Sequence, residues 1–480
     1  MMRKYLLVGA SAFILGAGSM AFVNQTAHAT ASAKPETYHM LELFGDVLTT
    51  VDNQYVTSVD DKKLIQSAID GMLTSLDPHS NYLNADDYKD MRDQTRGEYG
   101  GLGLEVTSED GVVKVISPMD DTPAARAGVK GGDYITAIDG QSVLGLPLDQ
   151  AVKQMRGDVG QSITLTISRD KKEPFDVKLT REVISVKSVK SHMEGDYGYL
   201  RISSFNEKTG EETIDAVKSL ETKAPHMKGL VLDLRNNPGG LLDQAVAVSD
   251  VFLDGGEVVS QRGRDAQDIE RYNAKPGDLT HGLPIVVLIN SSTASAAEIV
   301  SGALQDRHRA ELVGLTSFGK GSVQSVIPLR GGEDGALKLT TARYYTPSGR
   351  SIQRTGITPD LEVAESKEQA EQIANKSFQF SEASFHNALN ADEGKVRVAP
   401  HAPAEAPPPN FDIKAGDYQL TRGLDLLKAG SLKTLLLQRK PAVAVVADAS
   451  APKGAAKAGV DAVPTEPVKV KPEAAPPAHK

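Results

Sequence analysis

The stretch Ile285-Val286-Val287-Leu288-Ile289-Asn290-Ser291-Ser292-Thr293-Ala294-Ser295-Ala296-Ala297-Glu298 decides how the rest of the sequence is read. It runs from an apolar strand through a Ser/Thr-rich turn into a helix predicted over Ser295–Gln305. The same unit recurs upstream. A strand at Tyr199–Ser203 precedes a helix near Thr209–Lys223, and a strand at Leu230–Leu234 precedes a helix at Leu241–Phe252. Such alternation implies parallel strand pairing with helices covering the sheet. Residues 183–361 therefore read as an α/β core with mixed sheet and helix.

Outward from that core the texture changes. Residues 35–96 have helical apolar spacing, with one stripe at Met40, Leu43, Phe44, Val47, Leu48 and Val51 and another at Leu64, Ile65, Ala68, Ile69, Met72 and Leu73. Both stripes read as packing faces, against this chain or a second copy. Asp77-Pro78-His79-Ser80 ends the second helix, because proline disfavours helical geometry in the residue before it. Residues 97–182 hold short strands, glycines and a helix predicted at Leu148–Met155. Residues 362–440 contain a helix candidate at Tyr418–Leu437, and 441–480, rich in Pro, Ala and Lys, read as disordered.

At the N-terminus, Arg3 and Lys4 precede an uncharged stretch from Tyr5 to Val23, and Ala27-His28-Ala29 offers a small-x-small cleavage site. Residues 1–29 read as an export signal, with an uncleaved anchor as the alternative. The expected location is periplasmic or at the cell envelope.

Composition narrows the chemistry. The 480 residues carry 53 Lys+Arg against 63 Asp+Glu, a net charge of −10, which is a poor match for nucleic acid. There is no cysteine, so disulfides, thiolate metal sites and a cysteine nucleophile are excluded. Covalent catalysis falls to another side chain, and the strand-to-helix turn supplies Ser295. Unpaired N–H groups at a helix start favour developing negative charge. The competing reading is that these hydroxyls cap the helix.

Two further segments fit a serine mechanism. Ser317-Phe318-Gly319-Lys320-Gly321-Ser322-Val323-Gln324 sets a lysine between glycines just before a strand. A lysine near pKa 10.4 is no base at neutral pH, but burial lowers that value. Asn236-Asn237-Pro238-Gly239-Gly240 follows an apolar strand, where glycines can turn N–H groups toward a ligand. A solvated lysine and a plain turn are the bland alternatives. No Gly-x-Ser-x-Gly elbow and no His-Glu-x-x-His pair occur, and His79, His192, His226 and His308 are scattered.

Taken in order, these blocks resemble the carboxyl-terminal processing peptidases, or tail-specific proteases. The resemblance runs from about Thr37 to Leu437. It includes Ala68-Ile69-Asp70-Gly71-Met72-Leu73, Leu76 to Ser80, the glycine-rich 97–182 unit, Leu232 to Gly240, Thr293 to Glu298, Phe318 to Gln324, and Ala342 to Gln353. It implies a multidomain α/β protein with a ClpP/crotonase-like core, an inserted PDZ β-sandwich or partial barrel, and an N-terminal helical segment. It implies a serine endopeptidase in which Ser295 is the nucleophile, Lys320 the general base and Gln324 the residue that orients the lysine. Thr293 stands where the family pattern has serine. If 320–324 were one regular strand, Lys320 and Gln324 would lie about 13 Å apart at Cα, so contact requires a bend or long reaching side chains.

By the same resemblance the oxyanion donors are the N–H of Ala296 and one from Gly239 or Gly240, with Gly240 preferred. The PDZ unit would bind a substrate's terminal carboxylate at Leu102, Gly103 and Leu104, with the peptide added as a strand beside Leu104–Val106. No cofactor or metal is implied. Expected partners are protein substrates with accessible C-terminal tails, a second copy of the chain, and an activator protein. Two rivals of other classes are a noncatalytic PDZ adaptor and a trypsin-like protease with an appended PDZ. The second needs a catalytic domain ahead of the PDZ, where only the helical segment stands.

Overall fold

A computed structural model describes residues 35–109, 111–169, 173–265, 267–375, 380–391, 402–412 and 416–437. The expected leader and the Pro/Ala/Lys-rich tail lie outside the described residues. The chain opens with helices α1 (Pro35–Gln54) and α2 (Asp61–Thr74), the short strand β1 (Asn81–Leu83) and helix α3 (Ala85–Arg96). Asp60 caps α2 by accepting the N–H of Lys63. Among the described residues the apolar stripes are only partly covered: Met40, Leu43, Phe44 and Val47 on α1 and Ile65 and Met72 on α2 are exposed, Leu48, Val51, Leu64 and Ile69 are half-buried, and Leu73 is buried.

The next unit comprises β2 (Glu98–Gly101), β3 (Leu104–Glu109), β4 (Val112–Pro118), α4 (Pro123–Arg126), β5 (Tyr134–Ile138), β6 (Gln141–Ser142), α5 (Leu148–Met155), β7 (Ser162–Ser168), β8 (Phe175–Thr180) and β9 (Glu182–Ser185). Its sheet has the order β3-β4-β5-β7-β8, which leaves β3 at an edge. Val115, Ile135, Leu165 and Ile167 from the sheet pack with Ala151 of α5 in a closed apolar core. Strands β2 and β9 pair antiparallel, Gly101 opposite Glu182, so the chain enters and leaves this unit through one ribbon.

The core follows: β10 (Val189–Glu194), β11 (Tyr197–Ile202), α6 (Thr209–Lys223), β12 (Leu230–Asp233), α7 (Leu242–Phe252), β13 (Gly256–Arg262), β14 (Ile269–Ala274), β15 (Ile285–Ile289), α8 (Ala296–Asp306), β16 (Ala310–Gly314), β17 (Ser322–Pro328), β18 (Ala336–Tyr345), β19 (Leu361–Glu362), α9 (Lys367–Ala374), α10 (Tyr418–Ala429) and α11 (Leu432–Leu437). The main sheet runs β10-β11-β12-β15-β16-β19 and is parallel from β11 onward. Alternation within β12 and β15 explains the layers. Leu230, Leu232, Ile285, Val287 and Ile289 join the apolar cluster that includes Val217, Val248 and Ala303 of α6 to α8. Val231, Val286 and Leu288 meet Leu426 and Leu427 of α10 on the other face.

A second sheet, β1-β18-β13-β14 with β17 on β18, is antiparallel throughout and was not apparent from the apolar pattern. The single helix expected over Tyr418–Leu437 is two. Gly430 adopts φ +77 and its N–H bonds Leu426 O, a left-handed cap that ends α10.

Candidate active site

Ser295 occupies the turn between β15 and α8 with φ 55 and ψ −117, a conformation a non-glycine residue adopts only when its surroundings enforce it. Thr293 supplies part of that enforcement. Its hydroxyl donates to Leu234 O at 2.9 Å and accepts the N–H of Asn290. Ala294 N–H bonds Asn237 O, which ties the turn to the Asn236–Gly240 loop.

That loop lies against the serine. A Cβ on Gly239 (φ +98) would sit 2.7 Å from Ser295 Cβ and 2.9 Å from Ala296 N. The N–H of Gly239 is spent on Asn237 Oδ1 at 2.9 Å, whereas that of Gly240 has no hydrogen-bond acceptor among the described residues. Ala296 is the first residue of α8, so its N–H has no intrahelical acceptor.

Lys320 lies in the loop before β17, so 320–324 is not one regular strand. The β17–β18 pairing skips Thr341 and sets Gln324 opposite Thr340. In this arrangement the Lys320 amine donates to Gln324 Oε1. Burial pushes the amine down to about 8, and the charge of Lys338 adds to the push; Glu382, Glu298 and Asp77 pull the other way.

Glu298 is a site residue that sequence reasoning did not single out. Fully buried at the third position of α8, its carboxylate accepts the N–H of Ser295 (2.8 Å) and of Lys320 (2.9 Å) on Oε2, and the N–H of Gly319 (2.7 Å) and the hydroxyl of Ser317 (2.5 Å) on Oε1. Burial raises its pKa to about 7 against the pull of these donors. The signal was present, since a Glu three residues after a Ser at a helix start is a capping-box spacing.

Ser295, Lys320, Gln324, Gly239 and Gly240 line one cleft of about 610 Å³. Its walls include Met91, Gln94 and Thr95 of α3, Tyr99 of β2, Phe205 and Asn206, Val326, Lys338 and Tyr344. No histidine is among the described residues that line it. His79 instead faces Glu382, Nε2 to Oε2 at 2.8 Å.

A smaller groove, about 90 Å³, lies between β3 and α5 and is lined by Leu102, Gly103, Leu104, Val106, Val152 and Met155. The carbonyls of Leu102 and Gly103 accept from Ala124 and Met119, and their N–H groups are unspent among the described residues. Arg156, its guanidinium 4.4 Å from the Tyr99 ring centre, lines both this groove and the larger cleft.

Comparison with known proteins gives this geometry a family. Peptidase family S41 matches residues 196–363, a PDZ domain matches 100–179, and the activating protease CtpB N-terminal domain matches 6–87. The carboxy-terminal-processing protease of Bartonella bacilliformis is 55% identical over 368 residues, covering 76% of this chain and 83% of its own length. A probable CtpA-like serine protease of Staphylococcus epidermidis is 38% identical over 328 residues, covering 68% of this chain and 65% of its own. Among solved structures, a photosystem II D1 C-terminal processing protease is 30% identical, covers 67% of this chain and 92% of its own, and superposes with a TM-score of 0.40. The chain belongs to the carboxy-terminal-processing serine proteases of peptidase family S41 and carries a PDZ domain.

Proposed function

We propose that the chain is an exported endopeptidase that cleaves by a Ser295–Lys320 dyad and selects substrates by their C-terminal tails. The observation that carries the reading is one cleft holding a serine in a strained turn, a lysine whose amine is pushed down to about 8, and an unspent glycine N–H. Neutral Lys320 takes the Ser295 hydroxyl proton as Oγ attacks a peptide carbonyl carbon. The oxyanion is met by the N–H groups of Ala296 and Gly240, each worth about 10²–10³ in rate by comparison with known oxyanion donors. Collapse breaks the C–N bond, and the proton on Lys320 passes to the leaving amine. Water, deprotonated by Lys320, then hydrolyses the acyl-enzyme. Gln324, accepting from the amine, holds it in register.

The PDZ groove supports tail selection. An edge strand with unspent N–H groups at Leu102 and Gly103 suits a peptide added as a further strand with its carboxylate at those donors. Export rests on Arg3, Lys4 and Ala27-His28-Ala29 and predicts a periplasmic or envelope location. The exposed stripe of α1 suits a second copy, and the match to an activating protease's N-terminal domain suits regulation by another protein.

The test is cleavage of a denatured protein substrate by the intact chain and by Ser295→Ala and Lys320→Ala, each verified as folded. Loss of cleavage in both is expected. A Lys320→Ala protein that still cleaves and still reacts with a fluorophosphonate overturns the dyad.

A further inference from the structure

The Asp77-Pro78-His79-Ser80 turn belongs by sequence to the N-terminal helical region, ahead of the PDZ insert. In the folded protein it is buried against the β17–β18 hairpin, with Asp77 3% and Ser80 0% exposed. Asp77 Oδ1 accepts the N–H groups of His79 and Ser80 at 2.9 Å, and Oδ2 accepts the Ser80 hydroxyl at 2.7 Å. The Thr340 hydroxyl lies 3.4 Å from Ser80 Oγ, which also accepts the N–H of Thr340 at 3.0 Å. Thr340 Oγ1 in turn accepts from Gln324 Nε2 at 3.1 Å, and the second amide hydrogen goes to Ser322 Oγ at 2.9 Å.

The direction of this chain is set at its far end. An ionised carboxylate only accepts. Burial works against the ionisation of Asp77, but the bonds from Ser80 and His79 outweigh it and hold the carboxyl below its ordinary value. Ser80 spends its hydroxyl proton on this carboxylate, and Thr340 Oγ1, 3.4 Å from Ser80 Oγ, offers a lone pair to Gln324. Gln324 spends both amide hydrogens on hydroxyls, which leaves its oxygen facing the Lys320 amine. A reversed amide would set N–H against N–H.

We propose that Asp77, Ser80 and Thr340 are positioning residues for the general base: they lock the amide of Gln324 so that its oxygen, and never its nitrogen, meets Lys320. This rests on the reading of Lys320 as the base. A second tether runs beside the first. His79 meets Glu382, Glu382 Oε1 accepts from Gln353 Nε2 at 3.0 Å, and Gln353 Oε1 accepts the N–H of Gly321 at 2.9 Å. The turn is thus fastened to the lysine loop through both side chain and backbone, which makes the region before the PDZ insert part of the machinery.

The test uses the full chain and a quenched fluorescent peptide, comparing Asp77→Asn, Thr340→Val and Thr340→Ser with Lys320→Ala. Asp77→Asn and Thr340→Val are expected to lower kcat about 10- to 100-fold with KM within about twofold. In Asp77→Asn the acid limb of the rate profile moves to lower pH, because the ammonium loses both a nearby negative charge and its acceptor. Thr340→Ser recovers most of the loss. A merely structural role leaves the limb in place. The proposal is overturned if Asp77→Asn and Thr340→Val, shown folded by unfolding midpoint, retain parental kcat and limb while Lys320→Ala is inactive. If Lys320→Ala is also active, the base assignment itself has failed.

Discussion

The backbone N–H groups of Ser295 and Lys320 end on the same atom, Oε2 of Glu298, at 2.8 and 2.9 Å. A buried carboxylate thus fixes the spacing of the two loops that carry the proposed dyad. Glu298→Gln keeps size and shape but puts an NH₂ where one of these oxygens accepted. On the Oε2 side the amide would face two N–H donors, and on the Oε1 side the N–H of Gly319. We expect kcat to fall about 100-fold, because a small misplacement of the two loops takes Ser295 and Lys320 out of register. The unfolding midpoint should also drop, since an unmet buried donor costs about 1–3 kcal/mol. Steady-state kinetics and thermal melts of the same preparations check both.

The rate should climb with pH through about 8, because only neutral Lys320 can take the serine proton and burial brings its amine to about 8. Lys338→Met removes the neighbouring positive charge, lets the amine rise, and moves the acid limb of kcat/KM upward. A pH–rate series on both proteins reads this directly.

The same shift has a consequence for stability. The folded value lies below the ordinary 10.5, so between about 8 and 10.5 the unfolded chain binds more protons than the folded one. The penalty for a buried ammonium is therefore fully present below pH 8 and relieved as pH rises toward 10.5. Lys320→Met, inactive, should melt at a higher temperature than the parent at pH 7, with the gap closing by pH 10.

Gly239→Ala should abolish cleavage. The position has φ +98, and the added methyl would meet Ser295 Cβ at 2.7 Å. Loss of fluorophosphonate labelling in a protein that still binds a PDZ peptide is the expected result.

A peptide whose C-terminus is amidated should bind the PDZ groove at least about tenfold more weakly than its free acid, because the Leu102 and Gly103 N–H groups then lose a charged acceptor. Val152→Asp, which places a carboxylate in the groove wall, should raise KM for tail-dependent substrates. Fluorescence polarisation and cleavage assays measure these.

The parallel sheet was legible because β12 and β15 are buried on both faces and, apart from Asp233 at the end of β12, have no polar position to blur the apolar run. The antiparallel sheet was not, since β14 and β17 are half-exposed and alternate weakly. The Ser295 turn and the Lys320 loop stood out as residue types in unusual local settings. Glu298 had a local signal in its capping-box spacing and Asp77 in its helix-ending turn, but the roles of both, and of Thr340, lie in contacts between segments far apart in the chain. Local pattern carries no record of the skipped Thr341 that brings Gln324 opposite Thr340.

The pairing of β2 with β9 bears on how such a protein is assembled and rebuilt. Gly101 and Glu182 face each other, so the two ends of everything between them are about 5 Å apart. A module whose termini are neighbours can be grafted, excised or exchanged with little disturbance to its host, and the PDZ unit, the proposed receptor for tails, becomes a replaceable cartridge.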